Sequence, residues 1–222
     1  MNNISYIILA CHIDKGMKSF GSKGLLEFQQ KKIFDYQIEW IENNHHHNYE
    51  IIIVSNFDTV KIQKGMGGIV KVINSDTNPI LTGCNESKYD TVVFIDYGCL
   101  FNPNILKKFK NLKSNYIITV DDSSLDIGCI TTNNKISHIY LDLPDNKFTN
   151  MFLLNRISKD EIINNAFYDR ANLLYFETLN NLINNGNLIE NISIDKKDFL
   201  HFKHMDQKNA INKFVKKISH KN

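Results

Sequence analysis

Arginine is almost missing from this chain: Arg156 and Arg170 are its two arginines, and lysine supplies the rest of the 26 basic residues. Planar forks for bidentate phosphate or carboxylate recognition are therefore scarce, and Lys has to stand where other proteins use Arg. The four cysteines (Cys11, Cys84, Cys99 and Cys129) include no Cys-x-x-Cys pair, which removes the usual zinc frameworks. They read as free, small core hydrophobes in a reducing cytoplasm. There is no apolar run long enough for a membrane span and no signal peptide, so a cytoplasmic protein without membrane contact is expected. A net charge of +2 leaves no basic stripe, which argues against a nucleic-acid partner. With 42% hydrophobic and 23% charged residues, disorder is excluded over most of the length. The 222 residues suffice for one sizeable domain.

The chain opens on Ile4 to Ala10, a short, continuous apolar run that is the pattern of a strand buried on both faces. Cys11 to Gly24 follows as a loop carrying Gly16, Gly21 and Gly24 together with Lys15, Lys18 and Lys23. Ile33, Tyr36, Gln37, Trp40 and Ile41 then recur at helical spacing, until Asn43 to Asn48, with His45, His46 and His47, breaks the helix. Further strands are expected at Tyr49 to Ser55, Ile69 to Ile73, Thr91 to Ile95, Asn115 to Val120, Met151 to Leu154 and Leu188 to Ile194. Asp126 to Leu143 reads as antiparallel strands around an Asn133-Asn134 turn. Helices are expected at Thr59 to Gln63, Pro103 to Leu112, Ser158 to Asn165 (a capping box of Ser158 and Glu161), Leu173 to Asn185 and Lys208 to Ile218. Asn74 to Tyr89 reads as a polar loop. The alternation gives an α/β fold: a single-domain, Rossmann-like, mixed but mostly parallel sheet with helices on both faces. Residues 1–120 carry the strand-helix alternation, and residues 121–222 bring the antiparallel pieces and end in a helix.

In open α/β sheets, ligands sit beyond the carboxyl ends of the strands. Glycine-freed amides with lysines make a phosphate cradle in the first loop, although it is neither a Walker loop nor Gly-x-Gly-x-x-Gly. Asp96 directly follows Val92-Val93-Phe94-Ile95, where a parallel strand delivers a carboxylate to the ligand edge. Asp195 ends a later strand, and Asp198 reads as a helix cap. A solvated turn is the reading for the His45–His47 run. His201 and His204 lie three apart on an expected helix face, without an acidic third ligand beside them.

These parts together resemble the opening and close of the sugar-phosphate and phosphocholine nucleotidyltransferases. That family begins Leu-Ala-Ala-Gly-x-Gly-x-Arg-Met, a spacer, then Pro-Lys-x-Leu. Here Leu9-Ala10, the glycine and lysine loop, Lys23 and Leu25-Leu26 stand in that order, followed by Tyr36-Gln37-Ile38, Glu50 to Val54, Val93 to Asp96, Lys135 to Ile139 and Ile194-Asp195-Lys196-Lys197-Asp198-Phe199. The resemblance implies a GT-A-like fold and nucleotidyl transfer from an NTP, CTP or UTP, to a small phosphorylated sugar or alcohol such as phosphocholine. Pyrophosphate leaves, the product serves surface glycans, and a homodimer is possible within the family. It implies Lys23, Asp96 and Asp195 as catalytic residues, with Asp96 and Asp195 holding Mg²⁺. Leu9, Ala10, Cys11, His12, Lys15, Lys18 and Gly83 become the nucleotide-binding positions.

This chain departs from the family in known places. His12-Ile13-Asp14-Lys15-Gly16 replaces Gly-x-Gly-x-Arg, and Asp14 puts a carboxylate where triphosphate would lie. Ser22 replaces the proline before the lysine, and Leu143 stands where many members have a substrate-binding lysine. Two other readings therefore stay open. One is a GT-A glycosyltransferase, of whose Asp-x-Asp motif Asp96-Tyr97-Gly98 offers half. The other is a non-catalytic, nucleotidyltransferase-like binding or scaffold protein.

Overall fold

A computed structural model describes residues 3–11, 17–44, 48–143, 146–171 and 173–219. The elements run β1 (Ile4–Ala10), β2 (Glu27–Phe28), β3 (Lys31–Lys32), α1 (Ile33–Asn44), β4 (Tyr49–Ser55), α2 (Thr59–Met66), β5 (Lys71–Asn74), α3 (Pro79–Glu86), β6 (Thr91–Asp96) and β7 (Cys99–Phe101). They continue with β8 (Asn115–Val120), β9 (Ile127–Thr132), β10 (Lys135–Leu141), β11 (Lys147–Leu154), α4 (Arg156–Asn164), α5 (Tyr175–Asn184), β12 (Ile189–Ile194), β13 (Phe199–His201) and α6 (Lys208–Ser219).

Among the described residues, nine strands form one sheet in the order β5-β4-β1-β6-β11-β8-β12-β10-β9. The first four pair in parallel, as the βαβ alternation predicts. From β6 onward the sheet is mixed: β11 runs antiparallel to both β6 and β8, and β8 with β12 is parallel again. The hairpin of β9 and β10 turns on Asn133 and Asn134, both at positive φ, as the sequence leads one to expect. Two small ribbons, β2 with β3 and β7 with β13, stand apart from the sheet.

Period-two alternation on the central strands sorts the core into two layers. Tyr6, Ile8, Ile51, Ile53, Val93 and Ile95 face one way, onto α1, α2 and α6. Ile7, Leu9, Ile52, Val54, Val92 and Phe94 face the other way, onto α3, α4 and α5. Helices thus cover both faces.

The departures from the sequence reading have local causes. Asn74 to Tyr89 is not all loop: α3 lies inside it, with Asn78 accepting from Ile80 N and Pro79 in the first turn. Its Asn, Pro and Thr residues read as loop because the cap and the helix share one short stretch. The capping box expected at Ser158 does not form. Asn155 caps α4 instead, accepting from Ser158 N, while Glu161 accepts from Asn187. Residues Pro103–Lys108 make a 3₁₀ turn rather than a longer α-helix. His201 lies on strand β13, so its relation to His204 is not that of a helix face. The His45–His47 run lies outside the described residues. No described helix is long and apolar enough to cross a membrane.

Candidate active site

The carboxyl ends of β1, β4 and β6 open into a cavity of about 460 Å³, reached by Cys11, Asn56 and Asp96. The second half of the chain closes it with Asp126, Ile127 and Leu141, with Asn150 from β11, with Leu173 to Phe176 at the start of α5, and with His201. A larger cleft of about 680 Å³ lies at the opposite, amino-end edge, around Lys88, Asp90, Lys110 and Arg156. We place the site at the carboxyl edge, where an α/β sheet presents its ligand groups and where two buried charges, Lys23 and Asp96, line one cavity.

Asp96 is the centre of that site. Its carboxylate Oδ1 accepts from Gly98 N at 2.7 Å and faces His201 Nε2 at 3.2 Å. Burial pushes its pKa up, but the His201 hydrogen bond, the Lys23 charge and the Gly98 N–H outweigh burial and hold it below the usual carboxylate value. An ionised carboxylate has no proton to give. His201 Nε2 therefore carries the hydrogen of this bond.

The turn after Asp96 is fixed from several sides. Gln37, fully buried on α1, donates to the carbonyls of Asp96 and Cys99 at 3.0 and 2.8 Å. Phe202 N donates to Gly98 O at 2.8 Å, and β13 pairs with β7 through Phe199, Leu200 and His201. That ribbon is what carries His201 to Asp96 across 105 residues of sequence. Gly98 is required by close approach: a Cβ there would lie 2.9 Å from Lys23 Nζ and from Phe202 O, and 3.1 Å from Asp96 Oδ1.

Lys23 arrives from the first loop and is 2% exposed. Its Nζ donates to Phe202 O at 3.0 Å and lies 4.6 Å from the Tyr97 ring centre, which makes a cation–π contact. The structure thus brings Lys23 and Asp96 together. Cys11 is also on the wall, its thiol donating to Val54 O at 3.2 Å, and burial pushes its pKa up to about 12.

Asp195 is not brought there. Its side chain is 65% exposed and pairs with Lys197 at 2.6 Å. The cause is register: the chain makes a further 3₁₀ turn at Lys196–Asp198 before β13, and β13, not the end of β12, reaches the cavity. Gly83 is also displaced from its expected role. It lies in α3, where a Cβ would meet the Phe94 ring at 2.9 Å and Ile7 Cγ2 at 3.0 Å, so its absence of side chain serves helix-to-sheet packing. Leu9 and Ala10 are buried strand residues, and Lys18 is exposed on a 3₁₀ turn. His12 and Lys15 lie outside the described residues.

The expected magnesium clamp of Asp96 with Asp195 is therefore not formed. What stands around Asp96 is an imidazole and a thiol, Cys99, whose ligand atoms lie within 4.8 Å of one another and of the carboxylate. Mg²⁺ takes an octahedron of oxygens, and this set with the Lys23 ammonium beside it does not fit. The Cys99 thiol donates to Thr149 O at 3.0 Å, and burial holds it well above its ordinary pKa. Asp122, a buried carboxylate just beyond β8, is committed to Lys196 at 2.8 Å and to Ser124 N.

No protein-family model and no curated protein matches the sequence. Solved structures do. The inositol-1-phosphate CTP transferase of T. maritima superposes with a TM-score of 0.76 at 12% identity, over 96% of this chain and 95% of that one. The fold is that of the nucleotidyltransferases. CTP:phosphocholine cytidylyltransferase from Streptococcus pneumoniae gives 0.68 at 16% identity, over 96% and 99% of the two chains. CMP:2-keto-3-deoxy-manno-octonic acid synthetase, solved with CTP, gives 0.68 at 11% identity over 98% and 99%. The nucleotidyltransferase fold thus spans nearly the whole chain. Identities this low carry the architecture alone.

His201 is the functional candidate that sequence reasoning passed over. Its signal was weak: a Phe-Leu-His triplet in a Lys- and His-rich stretch reads as a helix, and strand β13 is defined by its partner β7.

Proposed function

We propose that this protein is a nucleotidyltransferase. It moves a nucleoside monophosphate from an NTP, CTP or UTP, onto an oxygen of a small polar acceptor and releases pyrophosphate. One observation carries the reading: Asp96 is kept ionised at the carboxyl end of β6, on the wall of the cavity, with Lys23 buried beside it. The nucleotidyltransferase fold at this edge supports the same reaction class. The chemistry is positioning and charge neutralisation: the acceptor oxygen and the leaving pyrophosphate lie in line across the α-phosphorus, with no covalent enzyme intermediate. Lys23 supplies a fixed cation close to Asp96, and Asp96 orients His201. The first loop, with Lys15 and Lys18, is the proposed triphosphate contact. Work in the cytoplasm on a surface-glycan precursor belongs to the same proposal, supported by four free cysteines.

A second reading has an observation of its own. Asp96 is already balanced from within by Lys23 and His201, and the second metal carboxylate is elsewhere. That arrangement favours a domain that binds a nucleotide without turning it over.

The test is pyrophosphate release with CTP, UTP, GTP and ATP against pooled phosphorylated sugars and alcohols and against the unphosphorylated compounds. Nucleotide-dependent release supports transfer. A nucleotide-dependent rise in melting temperature with no release in any pool would establish the binding domain instead.

A further inference from the structure

The cleft of about 680 Å³ at the amino-end edge of the sheet takes no part in the candidate active site. Among its described lining residues are four cations, Lys88, Lys110, Lys113 and Arg156, and one carboxylate, Asp90. No basic run announces them in the sequence, because topology gathers them. Lys88 precedes β6, Lys110 and Lys113 precede β8, and Arg156 opens α4 just after β11. Strands β6, β11 and β8 are neighbours in the sheet, with β11 antiparallel to the other two, so the three segments meet at one edge.

The backbone beneath these cations is tied down on each wall. Asn155 Nδ2 donates to Lys113 O at 2.7 Å and Asn155 N to Asn115 Oδ1 at 2.9 Å, which joins the Lys110–Lys113 loop to the start of α4. Thr91 Oγ1 donates to Leu112 O at 3.4 Å and joins the same loop to β6. On the third wall the buried Lys159 ammonium donates to the carbonyls of Ser87 and Tyr89 at 3.0 and 2.7 Å. The cationic heads themselves are left over. Those of Lys110 and Lys113 have no ion pair or hydrogen bond among the described residues. The Arg156 guanidinium reaches Asp90 at 3.8 Å and Asp160 at 3.5 Å, both beyond hydrogen-bond length, so its fork stays open to another group. Asn3, which also lines the cleft, has Oδ1 buried without a partner. Buried polar atoms are nearly always paired, so this one points to a group that the chain itself does not supply.

We propose that this cleft binds a polyphosphate, either free or carried by a nucleotide. Four cations facing one cleft repel one another, a single carboxylate does not balance them, and a cleft lined by one sign of charge concentrates the opposite sign. The cations stand on three separate walls, so a chain of linked anionic groups engages all of them where a lone anion does not. The volume lies within the roughly 300–1,000 Å³ of small-ligand pockets. Arg156 offers its fork to a pair of phosphate oxygens, and the lysines act as point charges. The positive end of α4, which begins in the wall, adds to the same field. Asp90 is exposed and turns to water when a phosphate takes its place beside Arg156. The cleft lies at the edge of the sheet opposite Asp96, so a ligand there leaves the candidate active site open.

The experiment is amide NMR of the full chain, titrated with tripolyphosphate, inorganic phosphate and CTP, each with EDTA present so that no divalent cation bridges. Saturable shifts of the Lys113, Arg156 and Ile157 amides with tripolyphosphate are expected, and inorganic phosphate should bind the same amides about 10-fold more weakly. If CTP moves these amides as well, the polyphosphate is one that a nucleotide carries; if tripolyphosphate alone moves them, it is free. Either result supports the site. The double variant Lys110→Gln, Lys113→Gln removes two exposed ammonium groups that hold nothing in the fold. Its melting temperature should match the wild type, and its affinity for tripolyphosphate should fall about 10-fold. Shifts confined to residues around Asp96, shifts that never saturate, or equal affinity in the double variant would overturn the proposal. Lys23 and Asp96 are untouched throughout, so nucleotidyl transfer stands or falls on its own assay.

Discussion

His201 Nε2 stands 3.2 Å from Asp96 Oδ1, and both groups are nearly sealed from water, with side-chain exposures of 10% and 5%. The pair ties the end of a central strand to a ribbon that the chain reaches only near its close. It also does locally what a bound cation would do: it helps keep a buried carboxylate ionised.

The stability consequence has a definite sign. Asp96 is held below its ordinary pKa in the folded protein, with burial opposing and His201, Lys23 and Gly98 prevailing. On unfolding it returns to about 3.9. Its contribution is therefore fully present above that value and is lost as pH falls through the lower, folded value. Asp96→Asn should cost about 3 kcal/mol near neutral pH, because Lys23 then loses its buried counter-charge. Urea unfolding of both proteins across an acid series checks this. The gap should narrow as the medium becomes more acid; a constant gap would mean that the Asp96 charge contributes nothing.

Gly98 is packed against Lys23, Phe202 and Asp96. Gly98→Ala would set a methyl 2.9 Å from Lys23 Nζ and from Phe202 O, and the carbonyl is backbone that cannot swing away. Overpacking of this kind costs about 1–3 kcal/mol. Turnover should fall further than stability, because the Lys23–Asp96 spacing changes. Unfolding curves with a pyrophosphate assay separate the two; normal turnover in the variant would detach this turn from the chemistry.

Asp195 supplies the contrast. Its pairing with Lys197 is at the surface, and it does not line the cavity. Asp195→Asn should leave melting temperature and turnover within error of the wild type. Mg²⁺ added without nucleotide should likewise leave the melting curve unmoved, because the residues around Asp96 do not offer an oxygen cage. A tenfold loss of turnover in Asp195→Asn, or titratable Mg²⁺ binding by calorimetry in the absence of nucleotide, would restore the two-carboxylate site.

Much of this was legible from the amino-acid order, for a physical reason. β1, β4, β6 and β8 are buried on both faces, so each is a compact β-branched run, and the strand ends fall close to where the runs stop. Asp96 and Lys23 could be placed because a strand end and a short loop define their positions locally. The partner of Asp96 could not. His201 is delivered by pairing between β7 and β13, two strands of three residues each, which leave little trace of periodicity. Helix α3 hid for a related reason: its Asn78-Pro79 start is turn chemistry and cap chemistry at once.

Gly83 tests that last point. Had it served a nucleotide, a methyl there would disturb binding while leaving the fold intact. In the structure, α3 lies so close to β1 and β6 that the methyl would press on the Phe94 ring at 2.9 Å and on Ile7 Cγ2 at 3.0 Å. Both residues are fully buried, and Phe94 is already stacked on Phe152 with centroids 4.8 Å apart. Neither ring can rotate clear without opening the layer beneath, and close-packed cores transmit such strain rather than absorb it. Gly83→Ala should therefore lower stability by about 1–3 kcal/mol. The folded fraction should bind nucleotide with the affinity of the wild type, as read by calorimetry well below the midpoint of unfolding. A variant as stable as the wild type but weakened tenfold or more in nucleotide affinity would return Gly83 to the binding site.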